Sequence, residues 1–215
     1  MSDPKREPRD LAAGDIDKVV ALHKDCFKEF FLTALGDRAI RCFYEAALAD
    51  DGSVAVVLEE TDTGAIVGVA VGTLNPAFHT NLFRRNWSVY VLGLLGGLVR
   101  SDIVRGGILE RAPLMRRILE VNADDSLARA GVPEPEFGPE ARFLDVAVHP
   151  DVRGGRNAER LVEYFTERVF AKGAGRIGGS VKPNNLGSLI LYKRLGWNVK
   201  KTSPQRFDVW FDRSA

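Results

Sequence analysis

The sequence predicts a mixed α+β protein of the broad α/β class, and three observations predict it. Two Val-rich runs, Ser53 to Glu59 and Ala65 to Thr73, flank the turn-forming Thr61-Asp62-Thr63-Gly64 and read as a strand hairpin. From Phe143 to Leu195 the pattern alternates strand, helix, strand, helix, a βαβ-like order. Ahead of the hairpin, apolar residues recur at helical spacing.

Taken in order, Met1 to Asp10 is polar, carries Pro4 and Pro8, and has no apolar core of the signal-peptide kind. Ile16, Val19, Val20 and Leu22 form the first helical stripe, and Asp15 is placed to cap it through its carboxylate. A second helix starts near Asp37, with Ile40, Phe43, Tyr44, Ala47 and Leu48 on one face. The hairpin follows. Phe143 to Val148 is the next strand, and Ala158, Leu161, Val162, Phe165 and Val169 mark a strongly amphipathic helix. Arg176 to Val181 is a strand, and Asn185 to Leu195 a short helix ended by Gly196 at a left-handed cap position. Trp197 to Lys201 and Arg206 to Phe211 close the chain as a hairpin.

Asn75 to Gly138 stands apart. It opens with Asn-Pro, carries helical apolar patterns broken by glycines, and ends in the loop-forming Gly131-Val132-Pro133-Glu134-Pro135. Residues 76 to 122 hold seven Arg, no Lys and three acids. The segment reads as a helical insertion (75–138) on a single domain spanning 1–215. The apolar run Val89 to Val99 has eleven residues, short of the roughly 20 that span a bilayer. Its apolar face is expected to pack on the sheet or on a second copy of the chain, so a homodimer is compatible with it. Gly93 and Gly97, four apart, allow close helix approach.

Composition excludes several function classes. Thirty basic residues nearly balance 29 acidic ones, and a net charge of +1 gives no global attraction to nucleic acid. Two cysteines, Cys26 and Cys42, do not make a disulfide scaffold. Three scattered histidines and no Cys pair at metal spacing argue against a zinc site. A soluble cytoplasmic protein without a membrane span, a metal or a nucleic-acid partner is expected.

The chemistry concentrates in two stretches. Leu144-Asp145-Val146-Ala147-Val148-His149-Pro150 runs into Asp151-Val152-Arg153-Gly154-Gly155-Arg156-Asn157-Ala158, where a strand meets a glycine-containing turn that opens a long helix. A helix N-terminus offers unpaired N–H groups and a positive dipole end, glycines let backbone approach a ligand, and Arg153 and Arg156 add charge. That set suits a pyrophosphate; a plain strand–helix turn with solvated arginines uses the same residues. The second stretch is Asn184-Asn185-Leu186-Gly187-Ser188, followed by Leu191-Tyr192 and Gly196-Trp197.

Together the two stretches resemble the GNAT superfamily of N-acetyltransferases. Val148, Pro150, Arg153, Gly154, Ala158 and Leu161 match the family's first motif, and Asn185, Leu191, Tyr192, Gly196 and Trp197 the second, with Ser188 in place of Ala. Gly14-Asp15-Ile16-Asp17 and Ile66-Val67-Gly68 match its N-terminal half. The resemblance covers roughly residues 10–74 and 141–212. Two positions depart: Arg156 replaces a loop glycine and Asn157 an aliphatic residue. Positive φ at position 156 would cost about 1 kcal/mol or more, and Asn157 in a buried slot would need a partner.

The resemblance implies a central mixed, mostly antiparallel sheet flanked by helices, with the insertion between the third and fourth strands. It implies acetyl-CoA as acyl donor and a small-molecule or peptide amine as acceptor. The turn 153–158 would hold the pyrophosphate, and Val146, Ala147 and Val148 the pantetheine arm. Gly178 and Gly179 would leave room for the thioester or form a bulge. Tyr192 would protonate the leaving thiolate, or pack with its hydroxyl on a backbone acceptor. Asn185 would contact the cofactor or fix its turn, beside Ser188. Asp145 is a general-base candidate, or an ordinary polar residue on the face opposite Val146 and Val148. His23 reads as a helix-surface or packing residue. A noncatalytic acyl-CoA sensor on the same fold is the competing reading.

Overall fold

The protein is described from a computed structural model, which covers residues 5–100 and 138–213. Seven strands form one sheet: β1 (Arg6–Asp10), β2 (Ser53–Glu60), β3 (Ala65–Thr73), β4 (Glu140–Val148), β5 (Arg176–Val181), β6 (Asn198–Ser203) and β7 (Arg206–Asp212). Their order is β1-β2-β3-β4-β5-β7-β6. Every pairing is antiparallel except β4 with β5. Among the described residues there are seven helices: α1 (Ile16–Cys26), α2 (Phe31–Ala34), α3 (Asp37–Ala49), α4 (Phe78–Arg85), α5 (Trp87–Arg100), α6 (Asn157–Ala171) and α7 (Leu186–Arg194).

Both faces of the sheet are covered, which is why β2 reads as a nearly unbroken apolar run rather than an alternating one. Val57, Val69 and Val71 face α1 and α3. Val54, Val56, Leu58 and Ala70 face the other way, toward Leu161, Val162, Phe165 and Val169 of α6. Phe165 is fully buried and stacks on Phe143 with ring centroids 4.5 Å apart. Burying one such side chain stabilises by about 1.5–3 kcal/mol.

The elements largely follow the sequence, with three differences. β1 forms where the polar N-terminus predicts no element; β2 supplies its hydrogen bonds, pairing Arg6 with Glu60 through Asp10 with Val56. Asp15 does not cap α1: its carboxylate accepts from the Ala12 N–H at 3.0 Å and binds Arg9 Nη1 and Nη2 at 2.6 and 2.9 Å. The Arg9 guanidinium, chiefly, holds the Asp15 carboxyl below the usual carboxylate range. Leu48, expected on the buried stripe of α3, is exposed.

Of the insertion, 75–100 is described and is helical; 101–137, including the Gly131–Pro135 stretch, lies outside the described residues. Its helices pack on α3 and α2. Phe78, Leu82 and Tyr90 are buried in that cluster, and the Tyr90 hydroxyl donates to the Ala39 carbonyl at 3.3 Å. A Cβ on Gly93 would lie 2.7 Å from the Leu35 carbonyl oxygen, so the glycine brings α5 onto the end of α2. No described helix is long and apolar enough to cross a membrane.

Candidate active site

The site is built where β4 and β5 part. Their parallel pairing covers only Glu140–Arg176, Ala141–Ile177 and Arg142–Gly178. Beyond it β5 stays with β7 as far as Val181–Phe207, and β4 stays with β3 as far as Val148–Gly68. Among the described residues, the edge of β4 from Phe143 to Val148 therefore has no strand partner on the β5 side. The His149 N–H donates to the Val67 carbonyl at 2.8 Å, on the β3 side. Alternation then turns the N–H and C=O groups of Val146 and Val148 toward the open cleft, and those of Ala147 toward β3.

A bulge sits at the point of divergence. Opposite β3, Val71 pairs with Asp145 and Gly72 with Phe143, so Leu144 is the extra residue. A bulge shifts side-chain alternation by one. Before it, Ala141 and Phe143 face α6; after it, Val146 and Val148 do. Leu144 and Ala147 pack in the opposite cluster. Asp145 is thereby aimed at α1 and α3, where the Tyr44 hydroxyl donates to its Oδ2 at 3.1 Å. His23 Nδ1 lies 3.3 Å from the same oxygen and 2.9 Å from the Tyr44 hydroxyl. His23 and Tyr44 are buried in the core; the Asp145 side chain keeps 14% of its exposure. Burial, and then the Asp145 charge, push the Tyr44 phenol well above its usual range.

Tyr192 stands on the other side of the cleft. Its ring packs 4.8 Å from Trp197 and 6.0 Å from Phe143. Its hydroxyl has no hydrogen-bond partner among the described residues and is not sealed from solvent, so the backbone acceptor of a packing role is not found there. Burial chiefly, then the Asp145 charge, raise its pKa, so the phenol is a neutral proton donor at ordinary pH.

The turn after β4 has the features an anion needs. Gly154 has φ +90°, a conformation that L side chains rarely adopt. Among the described residues, nothing accepts from the main-chain N–H groups of Gly154 to Glu159 at the start of α6. Arg156 has φ −79°, so the glycine-to-arginine change carries no backbone penalty. Asn157 finds its partner, with Nδ2 donating to the Val152 carbonyl at 2.9 Å. Ala158 sits in the first turn of α6, half-buried in the α6-side cluster. The turn's arginines point elsewhere: Arg153 Nε donates to the Val148 carbonyl at 2.9 Å, and Arg156 Nε to Glu159 Oε2 at 3.0 Å. Cys26, half-buried beside Arg153, has its thiol pushed up, mainly by burial.

The remaining candidates fall as follows. Asn185 caps α7, its Oδ1 accepting from the Ser188 N–H at 3.3 Å. Gly178 opens no cleft volume: a Cβ there would strike the Glu140 carboxylate. A Cβ on Gly179 would meet Phe143 and Val209 at ordinary contact distances, and the register with β7 is unbroken, so there is no bulge. His23 and Tyr44 are the site residues that sequence reasoning missed. Their one signal is a polar group at a stripe position of each apolar helix face.

A profile of the Acetyltransferase (GNAT) family matches residues 118–197. No curated protein sequence matches the chain. Among solved structures, SsHAT is 20% identical, with 99% of this chain and 100% of that one covered, at a TM-score of 0.59. The PaiA N-acetyltransferase of Thermoplasma acidophilum, solved in complex with coenzyme A, is 8% identical, with 97% and 99% covered, at 0.57. An N-acetyltransferase of Staphylococcus aureus Mu50 is 12% identical, with 97% and 98% covered, at 0.55. The chain thus shares the fold of these N-acetyltransferases along nearly its whole length, and residues 118–197 are similar to the Acetyltransferase (GNAT) family.

Proposed function

We propose that the protein is an acetyl-CoA-dependent N-acetyltransferase acting on a primary amine, with residues 1–215 as one catalytic domain. One observation carries this reading. Among the described residues, the unpaired edge of β4 leads directly to a helix N-terminus with free N–H groups, between a carboxylate on one side and an unbonded phenol on the other. The free amides of the 154–159 turn suit a pyrophosphate, and the outward N–H and C=O groups of Val146 and Val148 suit the amides of a pantetheine arm. Acetyl-CoA would supply its acetyl group as a thioester.

The chain's own groups would then manage the protons. Asp145 accepts a proton from the attacking amine, directly or through one water, as the new C–N bond forms. Tyr192 gives its proton to the sulfur as the C–S bond breaks, so the products are an amide and a free thiol. The acceptor enters from the α1–α2 side, the face to which Asp145 is turned.

A second reading has an observation of its own. Arg153 and Arg156 are engaged by Val148 and Glu159 rather than held toward a phosphate site, which fits a weak acyl-CoA sensor. Calorimetric titration with acetyl-CoA, followed by thiol release over polyamines, amino sugars and peptides with free α-amines, separates the two. Binding with turnover on at least one amine supports the enzyme. Binding without turnover on any of them supports the sensor.

A further inference from the structure

We infer that His23 and Tyr44 are positioning residues that lock Asp145 in its proton-accepting orientation, an inference that rests on Asp145 being the general base. The three side chains come from α1, α3 and the bulge of β4, and meet within 3.3 Å of one another inside an otherwise apolar cluster. Counting hydrogens assigns their roles. The Tyr44 O–H donates to Asp145 Oδ2. If His23 carried its proton on Nε2, its bare Nδ1 would face a carboxylate lone pair at 3.3 Å, and a buried N–H would have no acceptor. With the proton on Nδ1, that N–H donates to the Tyr44 oxygen at 2.9 Å and lies 3.3 Å from Oδ2, and every hydrogen is used. Nε2 is left as a lone pair without a partner among the described residues, sealed from solvent.

A core imidazole with an idle nitrogen is a poor choice for stability, since buried polar groups are normally paired. It is a good choice for fixing a carboxylate. Oδ2 accepts from Tyr44 and lies 3.3 Å from His23 Nδ1, and Oδ1 makes no hydrogen bond to a described residue, so it is the oxygen left for the cleft. Rotation of the carboxyl about its Cβ–Cγ bond would break both contacts. The other titratable or charged groups around Asp145 are Cys26 on α1, Arg153 after β4 and Tyr192 on α7. None of the three has a described hydrogen bond to the carboxylate.

The test begins on the unliganded protein, because three histidines are simple to assign. Long-range proton–nitrogen NMR at about pH 8 should show His23 protonated on Nδ1, the less common tautomer; Nε2 protonation overturns the inference. Kinetics then use the best acceptor of the amine panel. Tyr44→Phe should lower kcat ~10–100-fold, with amine KM and acetyl-CoA Kd within about twofold. His23→Asn, which restores an N–H at the δ position, should stay within about threefold of wild type, whereas His23→Leu and His23→Gln should match Tyr44→Phe. Wild-type kcat in Tyr44→Phe and His23→Leu, with Asp145→Asn impaired, overturns the positioning role alone. Wild-type turnover in Asp145→Asn overturns the base assignment beneath it. Should no amine be turned over, the proposed function falls, and the NMR measurement of the His23 tautomer still decides the geometry.

Discussion

Replacing Tyr192 by Phe removes one hydroxyl and leaves the ring between Trp197 and Phe143. That hydroxyl makes no hydrogen bond among the described residues, so the loss in stability should stay below the about 0.5–1.5 kcal/mol of a typical hydrogen bond. The catalytic effect should be much larger. A general acid contributes about 10²–10⁴ in rate, which at about 1.36 kcal/mol per tenfold is about 3–5 kcal/mol. A burial-raised pKa keeps the phenol protonated across the working range, so its loss should lower kcat without adding a new pH limb near neutrality. The assay pairs thermal melting and calorimetric acetyl-CoA binding with initial-rate thiol release. Unchanged melting and binding with a 10²–10⁴-fold drop in kcat supports the account. Wild-type turnover, or a fall in melting temperature that accounts for the lost activity, refutes it.

The remaining predictions concern the turn, the helices and acid stability. Arg153→Ala and Arg156→Ala should each raise the acetyl-CoA dissociation constant by ~10-fold or more, the guanidiniums leaving Val148 and Glu159 for the phosphates; unchanged constants in both would leave the anion to the main-chain amides of the turn alone. Gly154→Ala meets no neighbour within 4 Å, so its cost is the left-handed backbone alone, about 1–2 kcal/mol, read as a modest drop in melting temperature. Gly93→Ala should destabilise by pushing α5 off Leu35, while exposed Gly96→Ala, with open space around it, should stabilise by up to about 1 kcal/mol. Asp15 has a depressed pKa, so its contribution is complete above the ordinary carboxylate range and lost as pH falls through the folded-state value. Asp15→Asn should therefore be less stable than wild type in urea melts at neutral pH, and the gap should close in acid.

How much of this was legible in the sequence depends on whether the signal was local. β5, Arg176–Val181, carries its own apolar pattern and was readable to the residue. The strand–turn–helix at Val148–Ala158 was readable because its glycines, arginines and first-turn positions are contiguous. β1 was not, because an edge strand tolerates Pro8 and charged residues and is held by its partner rather than by its own apolar alternation. The cap predicted at Asp15 failed for a related reason. Arg9, on that same unread strand, claims the carboxylate. The Asp145 cluster was the least legible, since residues 23, 44 and 145 come together only through tertiary folding. Without the bulge at Leu144, the parity of Ala141 and Phe143 would put Asp145 against α6, away from both partners. Arg153 and Arg156 were readable as present but not as engaged, because their carbonyl and carboxylate partners depend on where the turn places them.

The central claim is that the gap between β4 and β5 is the acyl-transfer site. A crystal structure of the protein with bound coenzyme A tests it most directly. The account predicts pyrophosphate oxygens on the N–H groups of the 154–159 turn. It further predicts pantetheine amides paired with Val146 and Val148, and the thiol sulfur within hydrogen-bond reach of the Tyr192 hydroxyl. Coenzyme A bound away from this cleft, or a sulfur on the side of β4 away from Tyr192, would contradict it.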